Sequence, residues 1–177
     1  STAPMTCNVP RTQATQPGEA AAPTLGRRVS STSLADVEPA ALSATKVRVY
    51  NANNETGQAA HVASQLSEFG FASAPDVQVG NDPIYVDGNM ECTGQIRFGP
   101  NGRSAAASVQ LVVPCAELIE DERTDDIVDL ALGNNFGKVD PNLDAEEVLR
   151  ALKEPPPGTA PAPQDVKLLE AARKAKC

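Results

Sequence analysis

Aromatic and basic residues are scarce in this sequence of 177 residues. It has no Trp, two Tyr, four Phe and one His, and 23 Asp and Glu outnumber 15 Lys and Arg. A net charge of −8 opposes binding to nucleic acid, which depends on clustered cations. With so few aromatic rings, Ala, Val and Leu must fill the core. The length suits one compact domain with tails.

Long apolar runs are also missing. No run reaches the roughly 18 apolar residues of a transmembrane helix, so we expect none within the chain. The chain begins with Ser1 rather than Met, which predicts a processed or truncated product whose missing front carries a signal or a membrane anchor. We therefore expect membrane contact only through such an N-terminal anchor.

The four cysteines are Cys7, Cys92, Cys115 and Cys177. They lack a C-x-x-C spacing and the chain has one His, so we predict no metal site. Of the three possible pairings we favour Cys92–Cys115, which flank one structural unit, and Cys7–Cys177, which lie near the chain ends. Disulfides predict an oxidising compartment outside the cytosol. The alternative is four buried free thiols.

Composition divides the chain into three parts. Residues 1–45 are rich in Pro, Thr and Ala and predict an extended N-terminal segment, whose later part from Leu25 lies on the domain surface. Residues 46–153 predict the compact domain, and they carry 17 acidic and 8 basic side chains. Residues 154–177 predict a Pro-rich linker and a short terminal helix that Asp165 caps.

Two stretches of the domain follow the same plan of strand, turn and helix. Residues 47–50 alternate as a strand, residues 51–57 form a turn, and apolar residues at helical spacing continue to Gly70. Residues 95–98, 99–102 and 105–113 repeat this order. Further strands are predicted at 77–79, 84–86, 117–120 and 127–132, and a helix at 144–152. We therefore predict an α/β fold: a mixed sheet with packed helices and two pseudo-repeated strand-turn-helix units.

Several short motifs occur in a characteristic order along the domain. They are Val47 to Asn53, Gly57 to Ala60, Val62 to Leu66, Gly70-Phe71, Ile96 to Gly99, Gly102, Ala105-Ala106 and Leu130 to Phe136. In this order and spacing the sequence resembles the LytR C-terminal domain family over residues 46–139.

The resemblance implies an exported, envelope-facing and non-catalytic module. We expect no cofactor. This chain lacks the Arg- and Asp-rich phosphotransferase domain that precedes the module in two-domain members, so the resemblance implies no transferase activity. We expect an extracytoplasmic domain that supports envelope integrity by binding an envelope glycopolymer, a lipid carrier or an envelope-building protein. The alternative is a lipid or polyprenyl-phosphate carrier accessory to cell-wall assembly, with an apolar tunnel between helix 58–69 and the sheet.

The candidate binding residues lie in the turns of the two units. If both units run in the same direction, the two turns open at one edge of the sheet, beside two helix N-termini that can receive a phosphate or a carboxylate. The candidates are Asn51, Asn53, Gly57, Arg97, Gly99, Gly102 and Arg103. The alternative is that Gly and Asn occupy these positions only because the turns need them.

Catalytic and calcium-binding patterns are weak. His61 falls on the helix face opposite Val62 and Leu66, which predicts a solvated surface residue rather than a general base. Seven carboxylates between Glu117 and Asp129 lack the spacing of a calcium loop, and we interpret them as a solvated hairpin edge. A hydrolase or transferase would require a cleft with perturbed carboxylates.

Overall fold

The computed structural model describes residues 4–11, 23–153, 155 and 161–177, and the predictions made for residues 1–3, 12–22, 154 and 156–160 lie outside these ranges. The strands are β1 Arg27–Val29, β2 Lys46–Asn51, β3 Ala72–Ser73, β4 Val79–Asn81, β5 Gly94–Phe98, β6 Glu117–Glu120 and β7 Val128–Leu132. The helices are α1 Gln58–Phe69, α2 Arg103–Gln110, α3 Leu143–Lys153 and α4 Val166–Ala172, with short 3-10 turns at Leu42–Ala44 and Pro100–Gly102.

The strands of the described residues form one mixed sheet in the order β1-β6-β5-β7-β2-β3, and β4 also pairs with β2. This confirms the predicted α/β class. Strand β2 is parallel to β7, whereas β5 is antiparallel to β7. The two strand-turn-helix units therefore run in opposite directions, and the assumption that they share one direction is wrong.

The helices cover one face of the sheet because apolar residues alternate along the strands. Val47 and Val49 of β2 face α1, whose Val62 and Leu66 are also buried. Gly70 ends α1 in the left-handed conformation, with φ 113°, as the sequence predicts. Ile96, Phe98, Leu118, Val128, Leu130 and Leu132 continue this core across β5, β6 and β7.

The opposite face carries the other set of alternating residues, and most of them are polar. Arg48, Gln95, Arg97, Glu117 and Asp129 all belong to this polar face, by their alternation with the core residues. A smaller apolar cluster lies on the same face and consists of Cys7, Ala52, Tyr85, Met90, Cys92 and Ala131.

The disulfides are Cys7–Cys92 and Cys115–Cys177, so the predicted pairing of Cys92 with Cys115 and of Cys7 with Cys177 is wrong. Residues 4–11 lie against the polar face, where the Cys7 amide donates to Glu117 Oε2 and Cys7 reaches Cys92. At the other end of the chain, α4 packs on α3 and brings Cys177 to Cys115. Tertiary contacts therefore decide the partners.

Residues 25–45 contribute more than surface cover. Strand β1 pairs antiparallel with β6 and extends the sheet, and Leu34 and Leu42 are buried in the main core. The predicted strand at 84–86 is instead a turn, because the Asp82 carboxylate accepts hydrogen bonds from the amides of Ile84 and Tyr85.

Candidate functional site

The candidates in the first turn build that turn. Asn51 Oδ1 accepts from the Ala59 amide at 2.9 Å, and Asn53 Nδ2 donates to the Gly133 carbonyl at 2.8 Å. Gly57 precedes α1 with φ 84°, a backbone conformation that favours glycine. These contacts anchor the start of α1 beside the end of β7.

Arg97 is not available to a ligand. Its guanidinium donates to Asp82 from Nη1 at 2.7 Å and from Nη2 at 2.8 Å, while Nε donates to Gln95 Oε1. The side chain of Arg97 is 1% exposed and that of Asp82 is 0% exposed. Arg97 lies on the polar face of β5, and its role is to hold the segment after β4 against the sheet.

The candidates in the second turn lie at the opposite end of the sheet from the first. This follows because β2 and β5 run in opposite directions and each turn follows the end of its strand. Gly99, Gly102 and Arg103 are therefore not brought together with Asn51, Asn53 and Gly57. The predicted joint site, with Arg97 as a ligand, is not formed.

A polar cleft of about 1220 Å³ opens at the end where β5 and β6 stop. Its lining combines the segment before β1, the turn after β5 and the connection between β6 and β7. The lining residues are Pro23, Thr24, Leu25, Gly26, Arg27, Arg48, Pro100, Glu120, Asp121, Glu122, Arg123 and Asp125.

Arg123 is the centre of the charge network in the polar cleft. Its Nε and Nη2 donate to the two carboxylate oxygens of Asp121 at 2.8 and 2.7 Å, and Nη2 also donates to Asp129 Oδ2 at 3.0 Å. Its Nη1 donates to the Ile127 carbonyl at 3.1 Å. One guanidinium therefore ties the connection between β6 and β7 to the sheet.

Arg48 continues the same network along β2. Its Nε donates to Asp129 Oδ1 at 2.8 Å, so Asp129 joins Arg48 to Arg123. Its Nη1 also donates to Asp76, and the guanidinium lies 5.7 Å from the centroid of the Tyr50 ring. The result is a row of planar polar side chains that runs from β2 across β7 to the connection between β6 and β7.

The outer wall of the polar cleft is formed by Glu120 between two arginines. Arg103 donates to both carboxylate oxygens of Glu120, at 3.0 and 2.8 Å, and Arg27 Nη2 donates to Oε2 at 3.0 Å. Arg103 therefore lies at this end of the sheet, away from the first turn, and its guanidinium already has a carboxylate partner.

The electrostatics of the polar cleft favour charged side chains. The hydrogen bond from Arg103 lowers the pKa of Glu120. Burial lowers the pKa of Arg123, but its hydrogen bonds to Asp121 and Asp129 outweigh burial and hold that pKa above the ordinary arginine value. The pKa of Arg48 is raised in the same way, against its burial, by hydrogen bonding to Asp129. These residues therefore stay ionised at neutral pH.

The prediction that the acidic stretch from Glu117 to Asp129 forms a solvated hairpin edge is wrong. Strand β6 lies between β1 and β5, and the side chains of Glu117 and Asp129 are each 9% exposed. Glu117 pairs with the distant Arg28, and Asp129 pairs with the distant Arg48 as well as with Arg123 of the same stretch. Within the described ranges no group of three or more His, Cys, Asp or Glu is arranged to hold a metal ion.

One sequence signal pointed to the polar cleft. Asp129 interrupts an otherwise apolar strand, and Arg48 alternates with two core valines of β2. Charged residues on the same face of two strands indicate a buried pair. His61, by contrast, is exposed on α1, as predicted.

The family described as LytR cell envelope-related transcriptional attenuator, LytR_C, matches residues 44–136. The chain belongs to the LytR_C family. The family resemblance noted in the sequence is thereby confirmed. The polar cleft of this LytR_C domain includes Arg48, within the matched residues, and Arg27, which precedes them.

Two relatives extend this LytR_C assignment. The cell envelope integrity protein Cei of Mycobacterium tuberculosis is 45% identical over 171 residues, which cover 97% of this chain and 74% of the relative. The crystal structure of the soluble domain of a conserved hypothetical secreted protein from Mycobacterium marinum is 46% identical. It has a TM-score of 0.77 and covers 86% of this chain and 99% of its own.

These similarities support an envelope-associated role. The disulfides and the secreted relative fit an extracytoplasmic location. Among the residues that the structure describes, no helix has the length and hydropathy needed to cross a bilayer.

Proposed function

We propose that this chain is a non-enzymatic extracytoplasmic domain that supports the envelope by binding a hydroxyl-rich envelope glycopolymer in the polar cleft. The observation that carries the proposal is the paired row of Arg48, Asp129, Arg123 and Asp121 beside an open volume of about 1220 Å³. A volume of this order exceeds that of small-molecule pockets and suits a segment of polymer.

The chemistry of the polar cleft favours an uncharged polyhydroxyl ligand. Paired guanidinium and carboxylate groups keep spare donors and acceptors that can bond to hydroxyl groups. Their positions are already set by the sheet, so binding costs little side-chain entropy. A phosphate or another anion is disfavoured because Glu120, Asp121, Glu122 and Asp125 line the cleft with only three arginines.

The same electrostatics support a role without catalysis. General acid–base catalysis depends on a group whose pKa lies near the working pH. In the polar cleft the pKa of Glu120 is lowered by its hydrogen bond from Arg103, which lies outside the lining, and the pKa values of Arg48 and Arg123 are raised. Each shift moves the pKa of the group further from neutral pH.

Membrane attachment is the second part of the proposal. We place the domain at the outer side of the cytoplasmic membrane, held by an N-terminal anchor in the full-length protein. The relative Cei is longer than the matched region, since the match covers 74% of it. Fractionation of cells that express the full-length protein tests the anchor: recovery in the membrane pellet supports it, and recovery only in the medium contradicts it.

Retention of the protein by purified envelope polysaccharide tests whether the ligand is a glycopolymer. Glu122→Ala removes an exposed carboxylate that lines the polar cleft, and Arg123→Ala removes the centre of its network. We expect Glu122→Ala to weaken retention with an unchanged Tm, and Arg123→Ala to abolish retention. Arg11→Ala is the matched control, because Arg11 pairs with Asp87 outside the cleft lining.

Equal retention of all three variants would place the glycopolymer elsewhere on the molecule. If the unmodified chain does not bind the polysaccharide but binds an extracted envelope lipid or protein, the glycopolymer proposal is contradicted and that partner is favoured.

A further inference from the structure

A second cleft, of about 510 Å³, lies beside the Cys115–Cys177 disulfide. We call it the lysine pocket. It lies between the end of α2, the segment before α3 and the residues after α4. Its lining residues are Thr93, Val113, Pro114, Cys115, Gly137, Lys138, Asp140, Asn142, Lys174, Ala175, Lys176 and Cys177. Its volume falls within the range of small-molecule sites.

The lysine pocket is a basic site on an acidic protein. Lys138, Lys174 and Lys176 line it, against the single side-chain carboxylate of Asp140, while the whole chain has a net charge of −8. In the described part of the chain, none of these three lysines forms an ion pair. Three ammonium groups therefore face solvent without a carboxylate bonded to them.

One wall of the lysine pocket is fixed by contacts that its lining residues make with one another and with α4. Asn142 Nδ2 donates to the carbonyls of Ala171 and Lys174, at 2.9 and 3.0 Å, and the disulfide joins Cys177 to Cys115. Residues 174–177 are thereby held across from Val113 and Pro114, which give the pocket an apolar part. Lysines on a segment fastened at both ends are better placed for a ligand than lysines on a free tail.

From this placement we propose that the lysine pocket binds the phosphate group of an envelope phosphate ester. Ammonium groups bind phosphate as point charges from several directions, and the apolar wall suits the carbon skeleton next to the ester. The phosphate belongs either to a soluble glycerol or sugar phosphate or to a phospholipid headgroup. The proposal does not depend on the glycopolymer in the polar cleft.

Titration of the oxidised protein with glycerol phosphate, followed by amide NMR shifts, tests the proposal. Glycerol is the uncharged control ligand. We expect shifts at Thr93, Val113 and Gly137, which line the pocket. The double variant Lys138→Gln/Lys174→Gln should weaken binding about ten-fold, since each exposed charge contact is worth a few-fold at most. Lys167→Gln is the matched control, because Lys167 is an exposed lysine of α4 outside the lining.

Two further arms identify the source of the phosphate and the role of the disulfide. Flotation with vesicles of phosphatidylcholine, with and without phosphatidylglycerol, distinguishes a lipid headgroup from a soluble ester. Cys115→Ser/Cys177→Ser should weaken binding because it frees the wall that carries Lys174 and Lys176.

The proposal is supported by pocket shifts with either phosphate probe that depend on Lys138 and Lys174. It is overturned if neither probe shifts these amides, if glycerol shifts them equally, or if Lys167→Gln weakens binding as much as the double variant does. Unchanged binding after removal of the Cys115–Cys177 disulfide would overturn the role assigned to the disulfide, since Lys174 and Lys176 would then be positioned without it.

Discussion

Arg97 and Asp82 form a buried, bidentate ion pair on the polar face, and it joins β5 to the segment that follows β4. Asp82 also accepts from the amides of Ile84 and Tyr85. The pair therefore links the central strands to a segment that has little regular structure, and it positions Tyr85 and the smaller apolar cluster.

We expect Asp82→Ala to destabilise the fold by about 3–5 kcal/mol, because it leaves Arg97 as an uncompensated buried charge. Urea unfolding measures the loss. Asp82→Ala/Arg97→Met, which removes both charges, should be less destabilised than Asp82→Ala alone. Asp87→Ala should leave the midpoint unchanged, because Asp87 pairs with Arg11 in solvent. Equal destabilisation by Asp82→Ala and Asp87→Ala would show that the buried pair has no special role.

Gly99 allows the close approach of the connection that carries Arg123. A Cβ atom at Gly99 would contact the Arg123 carbonyl and lie 2.6 Å from Arg123 Cγ. We expect Gly99→Ala to cost about 1–3 kcal/mol in thermal or urea unfolding, and to displace Arg123 from the polar cleft. Gly137→Ala is the control, because nothing lies within 4 Å of its Cβ position. A Gly99→Ala protein as stable as the control would contradict the close contact.

Peptide mapping under non-reducing conditions checks the cysteine pairing. Trypsin should release residues 1–11 joined to residues 49–97, because Cys7 is bonded to Cys92. A product that joins residues 49–97 to residues 104–123 would instead show the Cys92–Cys115 pairing.

Each disulfide closes a long loop, with separations of 85 and 62 residues. Chain entropy therefore predicts that removal of either disulfide lowers the free energy of unfolding by about 4–5 kcal/mol.

The two disulfides should differ in their rate of reduction. Cys7 and Cys92 are 3% and 0% exposed, whereas Cys177 is exposed and Cys115 is half-buried. We expect a mild thiol reductant to open Cys115–Cys177 first, because the attacking thiolate needs access to a sulfur atom. Timed alkylation followed by mass analysis measures the order. Earlier labelling of Cys7 or Cys92 would show that residues 4–11 do not cover their disulfide.

The two tyrosines supply a test in alkaline solution. Burial raises the pKa of Tyr50 and of Tyr85 above the ordinary value of 10.0. The folded state therefore favours the neutral phenol, and the associated stability is complete below pH 10.0 and is lost as pH rises through the folded pKa. Tyrosinate absorbance should rise at higher pH in the native protein than in urea.

Tyr50→Phe serves as the control for that titration and should leave the single transition of Tyr85. Near-ultraviolet circular dichroism of the same samples shows whether the chain is still folded. Coincident native and urea titrations, in samples that are still folded, would contradict the burial of the two rings.

The sequence pattern predicted helices and strands well where residues close together in the sequence determine them. The alternation of Val47 and Val49 determines strand β2, and Val62 and Leu66 at helical spacing before Gly70 determine α1. The order of short motifs also sufficed to indicate the LytR_C family, which the family comparison confirms.

The candidate site required contacts that no local pattern encodes. The opposite directions of β2 and β5 separate Asn53 from Arg103, and they are set by how both strands pair with β7. The sequence predicts Arg97 as a ligand-binding residue because a guanidinium suits bidentate contact with a phosphate or a carboxylate. Its partner Asp82 is 15 positions away and reaches it only across the polar face.

The amino-acid sequence by itself therefore determined the α/β class, the family and most helices and strands, because propensity and apolar periodicity act over a few residues. Tertiary structure alone decided the cysteine partners, the strand directions and the two clefts. Each of these depends on which distant segments pack together, as Arg48 and Asp129 do across β2 and β7.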